Sequence, residues 1–215
     1  PLENFDLDDA AFVSAWLSMV GGGTHALLAY RKSRLVDFAL PERALAAFPG
    51  PRFGIEGTRR LLGLAAGMPV VGTIVKPTAG LTPDEVAELC FRLAAGGVRF
   101  IKDDEKMLNP AYCPLEARVR RVAAALRRAE DQTGQRVLYA PHITTSPWRL
   151  ASAAETALRA GANALMVNFF AAGFQSLELL RRQFEVPVYA HCGGKEAFGR
   201  EPGQGVAPEV IARFA

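Results

Sequence analysis

From residue 70 onward the chain alternates between short apolar runs and longer segments in which apolar residues recur every three or four positions. The short runs are typical of buried strands, and the longer segments have the period of an amphipathic helix. The pattern predicts strands in VVGTIVKP, VRFIK, RVLYAPHI, ALMVNFF and VPVYAH. It predicts helices over 83–95, 115–131, 147–159 and 176–182, and the start of another helix near Pro208.

The first of these helices has signals at both ends. Thr82 is a favourable N-cap, Pro83 suits the first helical position, and Glu85 completes a capping box. Gly96 and Gly97 are expected to end the helix. Local chemistry and hydrophobic periodicity therefore agree on where this helix begins and ends.

Five consecutive strand–helix units with nearly continuous apolar strands predict a parallel α/β sheet that is buried on both faces. Two architectures fit: a doubly wound open sheet and a (β/α)8 barrel of the TIM type. No Gly-x-Gly-x-x-Gly follows the first strand, which disfavours a dinucleotide-binding sheet. Polar residues instead follow the carboxyl end of each strand, as in barrel enzymes, and favour the barrel. They are Lys76, Lys102, Asp104, Glu105, His142, Asn168 and His191.

Residues 1–69 lack this alternation. The segment DDAAFVSAWLSMV predicts a helix that is capped near Asp8 and ends at the glycines 21–23, and FPGPRFGIEGTRRLLG predicts a connection into a short helix. We therefore predict part of an α+β N-terminal domain and a linker over 1–69, and the first part of the barrel over 70–215. Because the chain starts without Met and stops within an apparent helix, we expect a fragment, with three barrel units beyond Ala215.

Composition narrows the class of protein. The chain is 50% hydrophobic and 22% charged, and no apolar run approaches the roughly 18 residues that span a bilayer. Neither a membrane segment nor a signal peptide is expected. The net charge of the chain is only +3, and the excess arginines are expected on solvated helix faces, which disfavours nucleic-acid binding. These arginines include Arg118, Arg120, Arg121, Arg127 and Arg128. The three cysteines are far apart, which favours a reducing, cytoplasmic setting.

The stretch FIKDDEKM carries the densest candidate chemistry, because Lys102, Asp103, Asp104 and Glu105 directly follow a predicted strand. Two carboxylates suit Mg²⁺, which prefers oxygen ligands. A neighbouring ammonium would repel the ion, but a lysine that has reacted with CO₂ is an anionic carbamate that offers oxygen. The alternative is a solvated loop in which Lys102 pairs with one of the carboxylates, and spacing alone favours that alternative.

Other candidates stand at neighbouring strand ends. Lys76 could act as an acid or base if the barrel desolvates it, and His191 could bind phosphate or move a proton. Gly193 and Gly194 could let a phosphate approach backbone amides. His142 is a weaker candidate. Each of these residues also has an ordinary structural interpretation, as a surface lysine, a structural histidine or a βα turn.

Taken together, these motifs resemble the large subunit of RuBisCO, and more specifically the RuBisCO-like proteins of form IV. GTIVKPTAGLTPDE resembles the first barrel strand of that family, and GGVRFIKDDE resembles the second. FPGPRFGIEGTRRLLG resembles the linker before the barrel, PLENF resembles a segment of the N-terminal domain, and LMVNFFAAGF and VYAHCGG fall at the fourth and fifth strands. The resemblance covers nearly the whole chain.

The resemblance implies a function. Lys102 would carry the carbamate, Asp104 and Glu105 would bind Mg²⁺, and Lys76 and His191 would be catalytic. The substrate would be a phosphorylated keto-sugar or sugar-acid derivative that loses a proton beside its carbonyl, and the metal would stabilise the enediolate. Candidate substrate contacts are Thr78, His142, Asn168, Gly193 and Gly194. The family also implies a homodimer or a higher homo-oligomer.

Three departures argue against carboxylase activity. Thr78 stands where carboxylases have the second lysine of Lys-Pro-Lys, Gly22 stands where they have an asparagine, and Cys192 stands where they have a phosphate-binding arginine. Losing that arginine indicates a substrate with one phosphate. We therefore expect an enolase, isomerase or decarboxylase. Ribulose-bisphosphate carboxylase and a non-catalytic or truncated homologue remain the alternatives.

Overall fold

The computed structural model describes residue 6, residues 12–23, residue 29 and residues 32–215. The N-terminal part consists of short elements: α1 (Phe12–Leu17), which continues into a π-helical turn (Ser18–Gly23), then β1 (Arg34–Leu35), α2 (Glu42–Ala46) and α3 (Gly54–Leu61). The predicted cap at Asp8 and the PLENF segment lie outside the described residues. The glycines 21–23, predicted to end the first helix, lie in the π-helical turn.

After residue 70 the predicted strands and helices all form, in the predicted order. In chain order the elements are β2 (Gly72–Ile74), α4 (Pro83–Ala95), β3 (Phe100–Lys102), α5 (Leu115–Thr133), β4 (Leu138–Ala140), α6 (Pro147–Arg159), β5 (Leu165–Asn168), α7 (Phe169–Ala172), α8 (Gln175–Gln183), β6 (Val188–His191), α9 (Glu196–Gly199), β7 (Gly205–Val206) and α10 (Pro208–Phe214). Of these, α7, α9 and β7 were not predicted, and α7 includes Phe169 and Phe170 from the end of the predicted strand ALMVNFF. The paired strands are shorter than the apolar runs, because flanking residues of each run lead into the loops.

Neighbours in the sequence are neighbours in the sheet. β2, β3 and β4 pair in parallel in that order, β5 pairs with β6 in parallel, and a parallel bridge between His142 and Met166 joins the two groups. A doubly wound sheet would reverse its strand order at one point. The described strands show no such reversal, so the parallel α/β prediction is confirmed and the arrangement is consistent with part of a barrel wall.

The helices pack against this sheet as their periodicity predicts. Thr82 accepts a hydrogen bond from the backbone N–H of Glu85, and the Glu85 carboxylate accepts one from the backbone N–H of Thr82, which confirms the capping box of α4. At the end of α5, Gly134 has φ +67°, a left-handed conformation that glycine adopts without strain. The main apolar core joins α4, α5 and α6 to the strands through buried side chains such as Val86 and Ile101.

A second apolar core joins the two ends of the described chain. β1 pairs in parallel with β7, and Phe12 and Val13 of α1 pack with Val210 and Phe214 of α10. The N-terminal part therefore contacts the chain that follows β6. No helix in the described ranges combines the length and the apolar composition needed to cross a membrane.

One of the predicted surface arginines is not on the surface. The side chain of Arg118 in α5 is 0% exposed, so its assignment to a solvated helix face is wrong. Its position explains the burial, because it lies one helical turn from Leu115 and from Val122, on the apolar stripe of α5. The charge is accommodated there by a buried carboxylate, Asp103.

Candidate active site

The register of the strands brings the candidate residues to one edge of the sheet. Lys102 is the last residue of β3 and lies level with Ile74 of β2 and Ala140 of β4. Asn168 and His191 are level with each other at the ends of β5 and β6. Side chains that follow the carboxyl ends of parallel strands meet at the same rim.

The charged stretch after β3 is not a solvated loop. Asp103 and Asp104 are both 0% exposed, while Glu105 is half-buried and Lys106 is exposed. Burying two adjacent carboxylates is unfavourable unless each finds a charged partner. The sequence alternative of an exposed loop therefore does not describe Asp103 and Asp104.

Asp104 is paired with Lys76 across the gap between β2 and β3. The Lys76 ammonium donates to Asp104 Oδ2 and, at 3.1 Å, to the Thr78 hydroxyl. Burial raises the pKa of Asp104, but the hydrogen bonds from Lys76, from the Lys106 N–H and from Thr78 outweigh burial and lower it overall. The same hydrogen bond to Asp104 raises the pKa of Lys76 and keeps it protonated.

Lys102 has the opposite environment. Its side chain is half-buried, its Nζ donates to the Asp103 carbonyl at 3.3 Å, and it lies 5.6 Å from the centroid of the Tyr189 ring. Burial lowers the pKa of Lys102, and the negative charges of Glu105 and Asp104 only partly oppose that shift. A lowered pKa raises the fraction of neutral amine, which is the form that reacts with CO₂.

His191 borders the same rim. Its Nε2 lies 4.0 Å from Glu105 Oε2 and is buried, with no hydrogen-bond partner among the residues that the structure describes. Burial and the charge of Lys102 lower the pKa of His191. Gly193 passes directly over the ring, since a Cβ at that position would lie 2.8 Å from Nε2. A larger residue at position 193 would therefore have to displace the His191 ring.

Both the oxygen and the nitrogen of the Asn168 side-chain amide are hydrogen-bonded to backbone groups. Its Oδ1 accepts from the N–H groups of Phe170 and Ala171, and its Nδ2 donates to the Gly193 carbonyl at 3.1 Å. The amide therefore joins the turn after β5 to the turn after β6. Gly194 has φ +105°, which favours glycine.

His142 is more deeply buried than any other predicted site residue except Asp104. It is 2% exposed, its Nε2 lies 2.6 Å from the Thr144 hydroxyl, and its Nδ1 is buried without a hydrogen-bond partner in the described part of the chain. The Thr144 oxygen also accepts from the Asn168 N–H at 2.7 Å. Burial, and next the neighbouring His191, lower the pKa of His142 to about 4. Its imidazole is therefore neutral at neutral pH.

The carboxylates at this rim supply enough oxygen ligands for a hard divalent cation only if a modified lysine adds another. No group of three His, Cys, Asp or Glu residues in the described parts of the chain is placed to hold a metal ion. Asp104 and Glu105 offer carboxylate oxygens at one rim, and a carbamate on the desolvated Lys102 would add the third oxygen ligand. Lys76, which occupies Asp104 Oδ2, has a side chain that is 54% exposed and can swing away.

Sequence reasoning missed Arg118, Tyr139 and Thr144. Arg118 Nε and the Tyr139 hydroxyl donate to the two oxygens of Asp103, at 3.0 and 2.7 Å. For Arg118 a signal existed, because its helical spacing from Leu115 puts it on the buried face of α5. No comparable signal marks Tyr139 or Thr144, because Asp103 and Asn168, which they contact, are distant in the sequence.

Comparison with known proteins agrees with this geometry. The family described as "Ribulose bisphosphate carboxylase large chain, catalytic domain" matches residues 54–215. The whole chain aligns, at 39% identity over 215 residues, with half (50%) of the 3-oxo-isoapionate-4-phosphate decarboxylase of Rhizobium etli. The chain belongs to the RuBisCO large-chain family. It spans about half the length of the curated relatives that it matches.

Solved RuBisCO structures have the same fold. A RuBisCO-like protein from Burkholderia fungorum superposes with a TM-score of 0.90 at 34% identity, covering 100% of this chain and 52% of that one. A dimeric archaeal Rubisco from Hyperthermus butylicus superposes with a TM-score of 0.92 at 29% identity, covering 99% and 50%. The predicted resemblance is confirmed, and the sequence similarity groups this RuBisCO-family chain with the RuBisCO-like, form IV proteins.

Proposed function

We propose that this RuBisCO-like chain is part of an Mg²⁺-dependent enzyme that forms an enolate or enediolate on a phosphorylated keto-sugar or sugar-acid derivative. The reaction would be of the enolase, isomerase or decarboxylase type. The observation that carries the proposal is the meeting of Lys76, Lys102, Asp104 and Glu105 at one rim, with Lys102 desolvated and Asp104 buried. The decarboxylase name of the Rhizobium etli relative supports the reaction class.

Lys102, Asp104 and Glu105 would be the protein ligands. The neutral Lys102 amine would add to the carbon of CO₂ and release a proton, which leaves a carbamate with two oxygens. Bound there, Mg²⁺ would supply positive charge next to the substrate carbonyl and so favour loss of the neighbouring proton.

Proton transfer is assigned to Lys76 and His191, whose environments move their pKa values in opposite directions. Lys76 is protonated beside Asp104 in the metal-free site, and once it has swung away from that carboxylate its ammonium would be the proton donor at Nζ. Burial keeps His191 neutral, and the described residues give its Nε2 no competing hydrogen-bond partner, which suits a proton acceptor. Groups whose pKa values are pushed apart in this way are the usual acid and base of one site.

Five residues are proposed on the substrate side of the site. The Thr78 hydroxyl and the backbone of Gly193 and Gly194 would contact the substrate. Asn168 and His142 would act behind them, because their hydrogen bonds keep the neighbouring turns in place. Cys192 offers no guanidinium for a second phosphate, and for that reason we propose a monophosphorylated substrate in preference to ribulose bisphosphate.

The larger assembly is part of the same proposal. Residues 70–215 would form the first units of an eight-unit barrel, and residues 1–69 part of the domain that precedes it. The strand order from β2 to β6 supports this assignment. A homodimer or a higher homo-oligomer is proposed as well, and the dimeric Rubisco of Hyperthermus butylicus supports it.

Calorimetry with Mg²⁺, in the presence and absence of bicarbonate, tests the proposed metal site. We expect binding that depends on bicarbonate and that weakens by more than roughly tenfold in Lys102→Ala. The matched control is Lys106→Ala, which removes an exposed lysine from the same segment and should leave the affinity unchanged. Binding that ignores bicarbonate, or that survives loss of the Lys102 amine, would contradict the carbamate site.

A further inference from the structure

Arg118 uses its whole guanidinium to hold the segment that follows β3. Nε donates to Asp103 Oδ2 at 3.0 Å, and Nη1 donates to the Cys113 carbonyl at 2.7 Å. Nη2 donates to the carbonyls of Met107 and Leu108 at 3.2 and 2.9 Å. One side chain therefore contacts the beginning, the middle and the end of the connection between β3 and α5.

The connection has few other long-range contacts: its Met107 and Cys113 N–H groups make only turn hydrogen bonds within the segment, although both side chains are buried in the main core. Residues 103–114 form neither helix nor strand, so a regular backbone ladder does not satisfy their carbonyl groups. The Asn109 side chain accepts from the Leu115 N–H at 2.7 Å and ties the segment once more to α5. Buried carbonyls need partners, and Arg118 supplies three of them.

The proposed ligands lie on the segment that Arg118 anchors. Asp103 points into the core, where the Tyr139 hydroxyl and the His142 N–H also donate to its carboxylate. The next residue, Asp104, faces Lys76 at the rim. Because the two residues share a peptide bond, fixing the Asp103 side chain also fixes the direction in which Asp104 leaves the strand.

Only an arginine can make this set of contacts. Its planar guanidinium presents donors in a fixed fork, whereas a lysine presents a single ammonium that cannot reach four separated acceptors. The buried ion pair of Arg118 and Asp103 is not expected to add much net stability, because a well-packed apolar pair in the same place is often at least as stable. Positioning of the 103–114 segment therefore explains the buried Arg118 guanidinium better than stabilisation of the fold alone.

We propose that Arg118 is a positioning residue, which through Asp103 and the carbonyls of the 103–114 segment sets the geometry of the metal-ligand candidates Asp104 and Glu105. The inference rests on the proposed function for the identity of those ligands. The anchoring of the segment itself rests on the contacts of Arg118 alone.

The test compares Arg118→Lys with the wild-type chain in two measurements. The first is amide hydrogen exchange of residues 104–113 without metal, where we expect clearly faster exchange confined to this segment. The second is Mg²⁺ affinity with bicarbonate, measured well below the unfolding temperature, where we expect a loss of about 10- to 100-fold, as for other residues that orient metal ligands. A second variant, Tyr139→Phe, keeps the ring and should shift both measurements in the same direction, by less.

The control is Val210→Ala, which removes buried volume from the second apolar core and lowers stability; that core includes no residue of the 103–114 segment. It should leave the Mg²⁺ affinity unchanged. If Arg118→Lys and Tyr139→Phe bind Mg²⁺ as tightly as the wild-type chain and exchange no faster over 104–113, Arg118 is merely structural and the inference is overturned. If the wild-type chain binds no Mg²⁺, the proposed function fails, and hydrogen exchange alone then decides whether Arg118 anchors the segment.

Discussion

At the scale of single residues, burial and hydrogen bonding determine the direction in which a pKa is shifted, and position in the sequence does not. Lys76 and Lys102 follow neighbouring strands, yet the hydrogen bond to Asp104 raises the pKa of one and burial lowers the pKa of the other. His142, buried near Lys102 and His191, is shifted furthest among the histidines with a resolved shift. Each environment combines side chains from several strands, which spacing in the sequence does not reveal.

The pKa of His142 gives a prediction for stability against pH. The folded protein binds a proton there only near pH 4, whereas the unfolded chain does so near the usual histidine value of about 6.5. As the pH falls from 6.5 towards 4, the unfolded state therefore gains protons first and becomes more favourable. His142 should lower the free energy of unfolding by roughly 3 kcal/mol across this range, with no effect above it.

Urea unfolding at a series of pH values checks this prediction. His142→Gln can still accept the Thr144 hydroxyl bond but does not titrate, so it should lose less stability than the wild-type chain between pH 6.5 and 4. Above pH 7 the difference between the two proteins should be constant. Parallel curves across the whole range would show that His142 titrates normally in the folded protein.

At the scale of elements, the sequence predicted the helix boundaries that depend on residues close together in the chain. The α4 capping box needs only Thr82 and Glu85, three residues apart, and the boundaries of α6 follow from Pro147 and the apolar period. The candidate residues stand at strand ends because the apolar runs stop there. In contrast, the pairing of β1 with β7 joins segments about 170 positions apart and has no local signature.

The same distinction explains the error over Arg118. Arginine is mostly exposed in proteins, so its residue type outweighed its position on the apolar stripe of α5. The helical spacing of Arg118 indicated the buried face, but the sequence did not reveal its charged partner, because Asp103 turns inward after β3 and meets Arg118 only in the tertiary structure. Side-chain direction at a strand end depends on the loop that follows, and the sequence pattern does not determine that loop.

The capping box of α4 gives a prediction at this scale. Thr82→Ala removes the hydroxyl that accepts from the Glu85 N–H, and should lower the free energy of unfolding by about 1 kcal/mol in urea titrations. The matched control is Thr156→Ala, because the Thr156 hydroxyl bonds to the Ser152 carbonyl inside α6 and caps nothing. Equal losses in the two variants would contradict a specific capping contribution.

At the scale of the whole molecule, three apolar clusters form the interior of the described chain, and the smallest surrounds Leu62, Leu138 and Met166. The main core lies between the sheet and α4 to α6, and the second core holds α1 and α10 together around aromatic rings. Phe214 stacks on Phe38 at 4.6 Å and lies 4.9 Å from Trp16, measured between ring centroids. Ile101, next to Lys102 in β3, belongs to the main core, so we expect the second core to loosen without moving the candidate ligands.

This division predicts that Phe214→Ala weakens the second core selectively. Trp148 is 83% exposed, and replacing it by Phe leaves Trp16 as the one remaining tryptophan of the sequence and a reporter of that core. Losing a buried phenylalanine costs about 3–5 kcal/mol, so Trp16 emission should shift to the red at a lower urea concentration than the loss of far-UV circular dichroism. Phe198→Ala, at a ring that is 55% exposed, should leave the Trp16 transition in place. If both signals instead move together in Phe214→Ala, the two cores unfold as one cooperative unit, and the candidate site would then depend on the contacts between the two ends of the chain.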